Sequence, residues 1–354
     1  MTTLFDPVTL GDLELSNRIV MAPMTRSRAG DGDAPTDLNV EYYRQRATAG
    51  LIVSEGTQPS ESGKGYCRTP GIHSAAQIAG WRNVTDAVHA EGGKIVLQIM
   101  HCGRIGARAN KAPTAETVAP SAIRAAGQMF TDAHGMVDFD MPRALETEEM
   151  PTLIAEFGQA ARNALEAGFD GIELHAASGY LPMQFLSTGT NKRTDRYGGS
   201  AENRIRAVVE MLEAMAKSAG PGRVGIRICP GVPFNDIQDD NPEETYAALL
   251  KAIDPMGLAY LHLILLKTPQ IDGLEVAKAH YTGSVILNDS ITLERGNEMV
   301  DSEEAAAISF ARHFLANPDL VQRFREGAEL AHFDRKTLYT PGPAGYTDYP
   351  FINQ

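Results

Sequence analysis

Cysteine is scarce in this chain: Cys67, Cys102 and Cys229 are its only three in 354 residues, far apart and without a C-x-x-C pair. An odd count at such spacings excludes a disulfide framework and offers no zinc site, so buried or semi-buried free thiols are expected. Basic charge is also in deficit, with 32 Lys and Arg against 45 Asp and Glu and a formal net charge of −13. Nucleic-acid binders show the opposite balance, so no nucleic-acid partner is expected and the ligand sought is a small molecule. No apolar run reaches the roughly 18 residues that span a bilayer. The opening stretch Met1 to Pro7 lacks the charged and apolar regions of a signal peptide, which together predict a cytoplasmic protein without a membrane partner. There is neither a G-x-G-x-x-G after the first strand nor a Walker loop, so a dinucleotide-binding fold is not supported.

What the chain does have is alternation. Apolar, β-rich runs follow helical patterns along nearly the whole length, which predicts a parallel sheet with crossover helices. Eight strands are expected: Arg18 to Ala22, Leu51 to Glu55, Lys94 to Ile99, Gly171 to His175, Val224 to Ile228, Ala259 to Leu263, Ser284 to Asn288 and Ala306 to Phe310. Eight parallel strands with intervening helices make a (β/α)8 TIM barrel. A chain of 354 residues can form it as a single domain. Before the first strand, Val8 to Leu15 alternates apolar and polar residues around Gly11-Asp12 and predicts a hairpin on the barrel floor. Helices are expected over Ser74 to Glu91, Glu149 to Ala167 and Ser200 to about Ser218, stopped by Gly92-Gly93, Gly168 and Pro221-Gly222. The segment Gly103 to Thr147 carries Pro113, Pro120 and Pro142 with little helical period, so a long lid or binding insertion after the third strand is expected. The tail from Thr337 to Gln354 reads as ordered coil.

Several strand ends carry polar groups that a structural strand does not need. Pro23, Met24 and Thr25 follow the first strand, Glu55, Gly56 and Thr57 the second, and Gln98 and His101 mark the third. In Gly171-Ile-Glu-Leu-His175 an apolar run ends in histidine, and the turn through Ser178 and Gly179 delivers Tyr180. In a barrel these positions share one open face, where catalytic groups sit. Arg227 lies between Ile226 and Ile228 and must find an acceptor, because a buried unpaired charge costs several kcal/mol. A cofactor carbonyl or anion is the expected partner, since the only acidic residue read near the inner end of a neighbouring strand is Glu55. Asn288-Asp289-Ser290 and Ala311-Arg312 follow the last two strands, whose loops commonly bind phosphate in barrel enzymes.

These stretches resemble the Old Yellow Enzyme family of FMN-dependent ene-reductases. The likeness runs over residues 3 to 350, through Asn17 to Arg26, Tyr43 to Val53, Gly65-Tyr66, Thr69 to Ile72, Ala164 to His175, Thr190 to Arg204, Phe314 to Leu320 and Gly345 to Pro350. Thr190 to Arg204 is the most specific of them. The resemblance implies non-covalent FMN on the carboxyl face, with NADPH or NADH as reductant. It places Thr25 at the flavin O4 and Gly56 at its edge, with Pro23 and Met24 beside them. Gln98 would meet the pyrimidine ring, Arg227 would lie near N1 and O2, and Asn288, Ala311 and Arg312 would surround the phosphate. Threonine at position 25 matches the branch without a redox-tuning cysteine.

The implied reaction reduces the C=C bond of an α,β-unsaturated carbonyl or nitro compound in two hydride-transfer steps. Its implied catalytic positions are His175 and residue 178 as donors to the substrate oxygen and Tyr180 as proton donor, with Tyr66 and Met100 lining the pocket. The chain departs from the pattern at Ser178, where relatives carry Asn or His, at Met100 in place of tryptophan, and at Ala311 in place of glycine. The connection after Ile264 to Lys267 is also shorter than the pattern. Two readings stand: an ene-reductase with an altered pocket, or a flavin-bound ligand-binding or sensor protein in which ene reduction is largely lost. A monomer or homodimer is expected.

Overall fold

Every residue of the strands Ile95–Ile99, Gly171–Ala176 and Val224–Ile228 is buried, as befits a parallel sheet covered on both faces. The structure is a computed structural model that describes residues 1–352. Asn353 and Gln354, the end of the expected tail, lie outside the described residues. In chain order the strands are β1 Val8–Leu10, β2 Leu13–Leu15, β3 Ile19–Met21, β4 Leu51–Val53, β5 Ile95–Ile99, β6 Val118–Ala119, β7 Gln128–Thr131 and β8 Gly135–Asp138. They continue with β9 Arg143–Ala144, β10 Gly171–Ala176, β11 Val224–Ile228, β12 Tyr260–Ile264, β13 Lys267–Thr268, β14 Ile271–Asp272, β15 Val285–Asn288 and β16 Ala307–Phe310. The helices that the site uses are α1 Asp37–Arg44, α2 Ala75–Ala90, α3 Met150–Glu166, α4 Leu181–Leu186 and α5 Ala201–Ala219.

The expected barrel is present. Eight parallel strands close in the order β10-β11-β12-β15-β16-β3-β4-β5. Val224–Ile228 coincides with its sequence reading and the others shift by one or two residues. Glu55 falls outside β4 because its backbone N–H is taken by the Tyr43 hydroxyl of α1 at 2.8 Å instead of a strand partner. The hairpin of β1 and β2 plugs the barrel floor: Leu10, Leu13 and Leu15 pack with Val20, Leu51, Val53, Val96, Ile286 and Ala307. Its turn needs Gly11, which sits at φ +57° and would drive a Cβ to 2.4 Å from the Gly222 carbonyl.

Helix starts follow their caps. Ser74 accepts from Gln77 N and shares a reciprocal capping box with that side chain at the head of α2, while Ser200 accepts from Asn203 N at the head of α5. Residues 103–147 form an ordered segment in which β6 pairs with β9 and β7 with β8. Its Ala125, Met129 and Phe139 pack into one cluster with Met100 and Tyr180, so the insertion lies over the histidine-tyrosine end of the barrel mouth. Between β12 and β15 the chain is not a bare short link: residues 265–284 fold a small β13-β14 hairpin and a further helix, Gly273–His280. The tail is ordered as expected. Tyr346 is fully buried and stacks on Tyr42 at 4.1 Å, and Arg26 and Arg28 donate to the carbonyls of Gly345, Leu338, Thr337 and Ala344.

Candidate active site

Strand register decides which side chains share the barrel interior. Glu173 and His175 are two apart on β10 and face the same side. Glu173 pairs with Gln98 of β5, and His175 pairs with Arg227 of β11, which pairs in turn with His262 of β12. Space for this polar layer comes partly from Gly225, where a Cβ would meet the Tyr260 ring at 2.3 Å. The side chains then join in a continuous chain. Gln98 Nε2 donates to Glu173 Oε1 at 2.7 Å, His262 Nδ1 meets Glu173 Oε2 at 2.8 Å, and His262 Nε2 meets Ser309 Oγ at 2.7 Å. Arg227 Nη2 donates to Asn288 Oδ1 at 2.7 Å, and Asn288 Nδ2 donates to the Ser309 carbonyl at 2.9 Å. Burial alone would raise the Glu173 pKa, but His262, Arg227 and Gln98 outweigh it and hold the carboxyl below its ordinary value. Burial lowers His262 despite the pull of Glu173. A neutral His262 donating to a carboxylate and accepting from the Ser309 hydroxyl satisfies all three groups.

At the carboxyl end of β10 the groups change from satisfied to free. His175 is buried, and among the described residues its Nδ1 has no hydrogen-bond partner. Burial, with the Arg227 charge beside it, pushes its pKa down to about 3, so the ring is a neutral imidazole. Tyr180 caps α4, and its ring meets the His175 ring edge-on at 5.0 Å. Its hydroxyl lies 3.0 Å from that of Tyr66. Burial and the neighbouring Tyr66 push its pKa well above 10. Ser178 occupies the left-handed region at φ +56°. Its N–H donates to Cys229 Sγ at 3.0 Å and its carbonyl accepts from Asn235 Nδ2 at 2.8 Å. Met100 and Tyr66 complete the wall in the same apolar cluster as Tyr180.

The other face of the mouth is built from backbone. Pro23, Met24 and Thr25 are partly exposed between the buried segments Met21-Ala22 and Arg26 to Ala29. Gly56 is buried, and a Cβ there would lie 2.5 Å from Met100 Sδ. Past β15 and β16, Asn288, Ser290, Thr292, Ser309, Ala311 and Arg312 line a cavity of about 320 Å³. Arg312 is exposed there. A flat, polar-edged ligand with an anionic tail fits this arrangement: the buried Arg227 Nε and His175 Nδ1 have no partner among the described residues, and the cavity lies beside Arg227's partner Asn288.

Two readings from the sequence need correction. Glu55 is not the acid facing Arg227: its carboxylate accepts from Arg26 N at 3.2 Å beside the tail, where burial lifts it to about 7. The acid that acts on Arg227 is Glu173, one strand over. Asn288 lines the cavity beyond β15, with its side chain braced between Arg227 and the Ser309 carbonyl. His101 is no open site group, since Nε2 meets Ser62 Oγ at 3.2 Å and Nδ1 accepts from Gly103 N at 3.1 Å. Sequence reasoning missed Glu173, His262 and Ser309. The polar residues at 173 and 262 inside apolar strands were the available signal. The three cysteines are free and buried, as expected.

Comparison with known proteins points to one family. Residues 3–331 match the model of the NADH:flavin oxidoreductase / NADH oxidase family. The chain is 40% identical over 361 residues to 12-oxophytodienoate reductase 1 of Oryza sativa subsp. japonica, covering 99% of this chain and 93% of that protein. It is 40% identical to a probable flavin mononucleotide-dependent alkene reductase of Leishmania infantum, covering 98% and 96%. Among solved structures, morphinone reductase in complex with tetrahydroNAD superimposes with a TM-score of 0.95 at 44% identity, covering 99% and 98%. The Old Yellow Enzyme homologue of Zymomonas mobilis does so with a TM-score of 0.95 at 40% identity, covering 99% and 100%. With a closed eight-stranded barrel and this similarity along nearly its whole length, the chain belongs to the NADH:flavin oxidoreductase / NADH oxidase family, the FMN-dependent flavoenzymes of the Old Yellow Enzyme kind.

Proposed function

We propose that this protein is an NAD(P)H-dependent ene-reductase that saturates the activated C=C bond of α,β-unsaturated carbonyl or nitro compounds. The observation that carries the reading is His175: a neutral, buried imidazole with a free ring nitrogen, its ring 5.0 Å from that of a protonated tyrosine. When bound, FMN supplies the hydride chemistry, accepting from NADH or NADPH and giving to the substrate β-carbon. Thr25, Gly56 and Gln98 would hold the flavin ring, with Pro23 and Met24 along its edge. Arg227, braced by Asn288, would set a positive charge at the pyrimidine side, and Ala311 and Arg312 would hold the phosphate.

The protein's own part is electrostatic and acid catalysis. A neutral His175 donates an N–H to the substrate oxygen as negative charge gathers there, and being neutral it costs no counter-charge in a dry site. Tyr180 gives its proton to the α-carbon, a step its high pKa permits only toward a strongly basic enolate or nitronate. Met100, Met129 and Phe139 keep water from that centre. Ser178 offers a hydroxyl where relatives have a longer donor, which loosens the grip on small substrates and leaves room for larger ones.

NADH or NADPH consumption with a panel of cyclic enones, nitroalkenes and nitrate esters tests the reading. Turnover well above the oxygen-dependent background with at least one activated alkene is expected. Tight binding of phenols by a yellow protein that reduces none of the panel would establish the ligand-binding alternative instead.

A further inference from the structure

The turn between β10 and α4 is held by side chains. Ser178 and Gly179 both have left-handed backbones, at φ +56° and +77°, and buried N–H and C=O groups need partners wherever the chain leaves a strand or helix. Four side chains supply them. Cys229 Sγ accepts from Ser178 N at 3.0 Å and Asn235 Nδ2 donates to the Ser178 carbonyl at 2.8 Å. Met183 Sδ accepts from Gly179 N at 3.3 Å and Gln184 Nε2 donates to the Gly179 carbonyl at 2.8 Å. The two acceptors are sulfurs, and they are joined: the Cys229 thiol donates to Met183 Sδ at 3.7 Å. Burial pushes that thiol up to about 11, so its S–H is present at neutral pH. Both residues are buried, in one cluster with Ala177 and Ile237, so an N–H that lost its sulfur would be left without a partner.

This clamp bears on Ser178 in particular. From Gly171 to Ser187 every residue is buried except Ser178, which is partly exposed. Its N–H is spent on Cys229 and its carbonyl on Asn235, so the group left for the mouth is the hydroxyl. Serine enters the left-handed region less readily than glycine or asparagine, and here that conformation is imposed by the groups around it. On one side the turn has no room to shift, because a Cβ on Gly179 would lie 2.7 Å from the Asn235 Cβ. Arg104 holds that loop in turn, donating to the carbonyls of Asn235 at 3.2 Å and Asp236 at 2.6 Å. On the other side the hold is the bond to Cys229.

We propose that Cys229 is a positioning residue that, together with Met183, keeps Ser178 in the left-handed conformation that presents its hydroxyl to the substrate oxygen, and so sets how tightly the pocket grips that oxygen. This rests on the ene-reductase reading. Without the sulfur acceptor, residue 178 relaxes toward an ordinary backbone conformation and its hydroxyl swings away, leaving His175 as the only side-chain donor to the oxygen. Cys229 touches neither substrate nor flavin in this role; it acts through Ser178.

The test uses FMN-loaded wild type, C229S, C229A, S178A and the C229A/S178A double variant, reading p-chlorophenol affinity from the flavin spectrum and kcat/KM for 2-cyclohexenone. C229A should lose about tenfold in both, part of what a full oxyanion donor is worth, and S178A at least as much. C229S, whose hydroxyl can accept the Ser178 N–H, should stay within about threefold of wild type. The double variant should be no weaker than S178A, because Cys229 acts through the hydroxyl that S178A removes, and FMN affinity should hold within about twofold throughout. A C229A that matches wild type, a C229S as impaired as C229A, multiplying losses from C229A and S178A, or a parallel loss of FMN affinity would each overturn the proposal while the ene-reductase reading stands. A wild type that reduces no activated alkene overturns that reading and this proposal with it.

Discussion

Arg227 donates from Nη2 to Asn288 Oδ1 at 2.7 Å, a bond between the fifth and seventh strands of the barrel in which the acceptor is itself anchored to the Ser309 carbonyl at 2.9 Å. The arginine's remaining Nε is buried without a partner among the described residues. The guanidinium is thus fixed through Nη2 and keeps a free buried donor at Nε, which suits a ligand carbonyl.

Removing the brace should show in flavin affinity. Asn288→Ala takes away a hydrogen bond to a charged group, worth about 1.5–3 kcal/mol, and lets the guanidinium turn. FMN affinity by fluorescence titration should fall roughly tenfold or more. Unchanged affinity would mean that Arg227 holds its place without Asn288.

Arg312 is exposed at the rim of the cavity beyond β16. If it meets the phosphate, Arg312→Ala should weaken FMN about tenfold and reduce the salt dependence of binding, while riboflavin, which has no phosphate, should bind as before. Parallel losses for both ligands would move Arg312 away from the phosphate.

Ser178 sits at φ +56°, a conformation asparagine accepts more readily than most residues. Ser178→Asn should therefore fold without added strain and place a second donor near the substrate oxygen. An oxyanion donor is worth about 10²-fold or more in the chemical step. An increase in kcat/KM for 2-cyclohexenone and tighter binding of simple phenols are expected. No change in either would mean that the pocket is built around the hydroxyl.

Two buried histidines make stability depend on pH. The pKa of His101 and of His175 is pushed to about 3 by burial, from an ordinary 6.5. The unfolded chain takes up these protons at higher pH than the folded one, so their contribution is fully present above 6.5 and is lost as pH falls toward 3. Glu55, raised to about 7 by burial, acts the other way, its contribution fully present below 4.5 and lost as pH rises through 7. Burial lowers His262 as well and raises Glu156, and with the depressed histidines outnumbering the raised carboxyls Tm should decline between pH 6.5 and 4, and His175→Phe should make that decline shallower. A Tm independent of pH over this range would contradict the neutral state of these rings.

Much of this was legible in residue order. Val224 to Ile228 reads as a strand because five residues of one apolar run face buried layers on both sides, and Val8 to Leu15 reads as a hairpin because its alternation turns on Gly11-Asp12. His175 and Tyr180 stood out because a histidine ends a strand and a glycine turn follows. The buried polar network was not legible. Glu173 looks like one polar residue in a run until barrel closure brings His262 to it from 89 positions away. Asn235 lies in an irregular loop, and its place beside Ser178, 57 positions earlier, depends on a left-handed backbone and on Arg104 reaching in from the insertion. Such contacts are set by tertiary packing, which local pattern does not encode.

In the proposed activity the protein passes reducing equivalents to an activated alkene with Tyr180 as its proton source. Anaerobic stopped flow on the FMN-loaded wild type and on Tyr180→Phe separates the two halves of that cycle most directly. The flavin should bleach at similar rates with NADPH in both proteins, and the wild type should recolour rapidly with 2-cyclohexenone while Tyr180→Phe recolours about 10² to 10⁴ times more slowly. A wild type that bleaches and then stays bleached with every activated alkene tried, or a phenylalanine variant that recolours as fast as wild type, would contradict it.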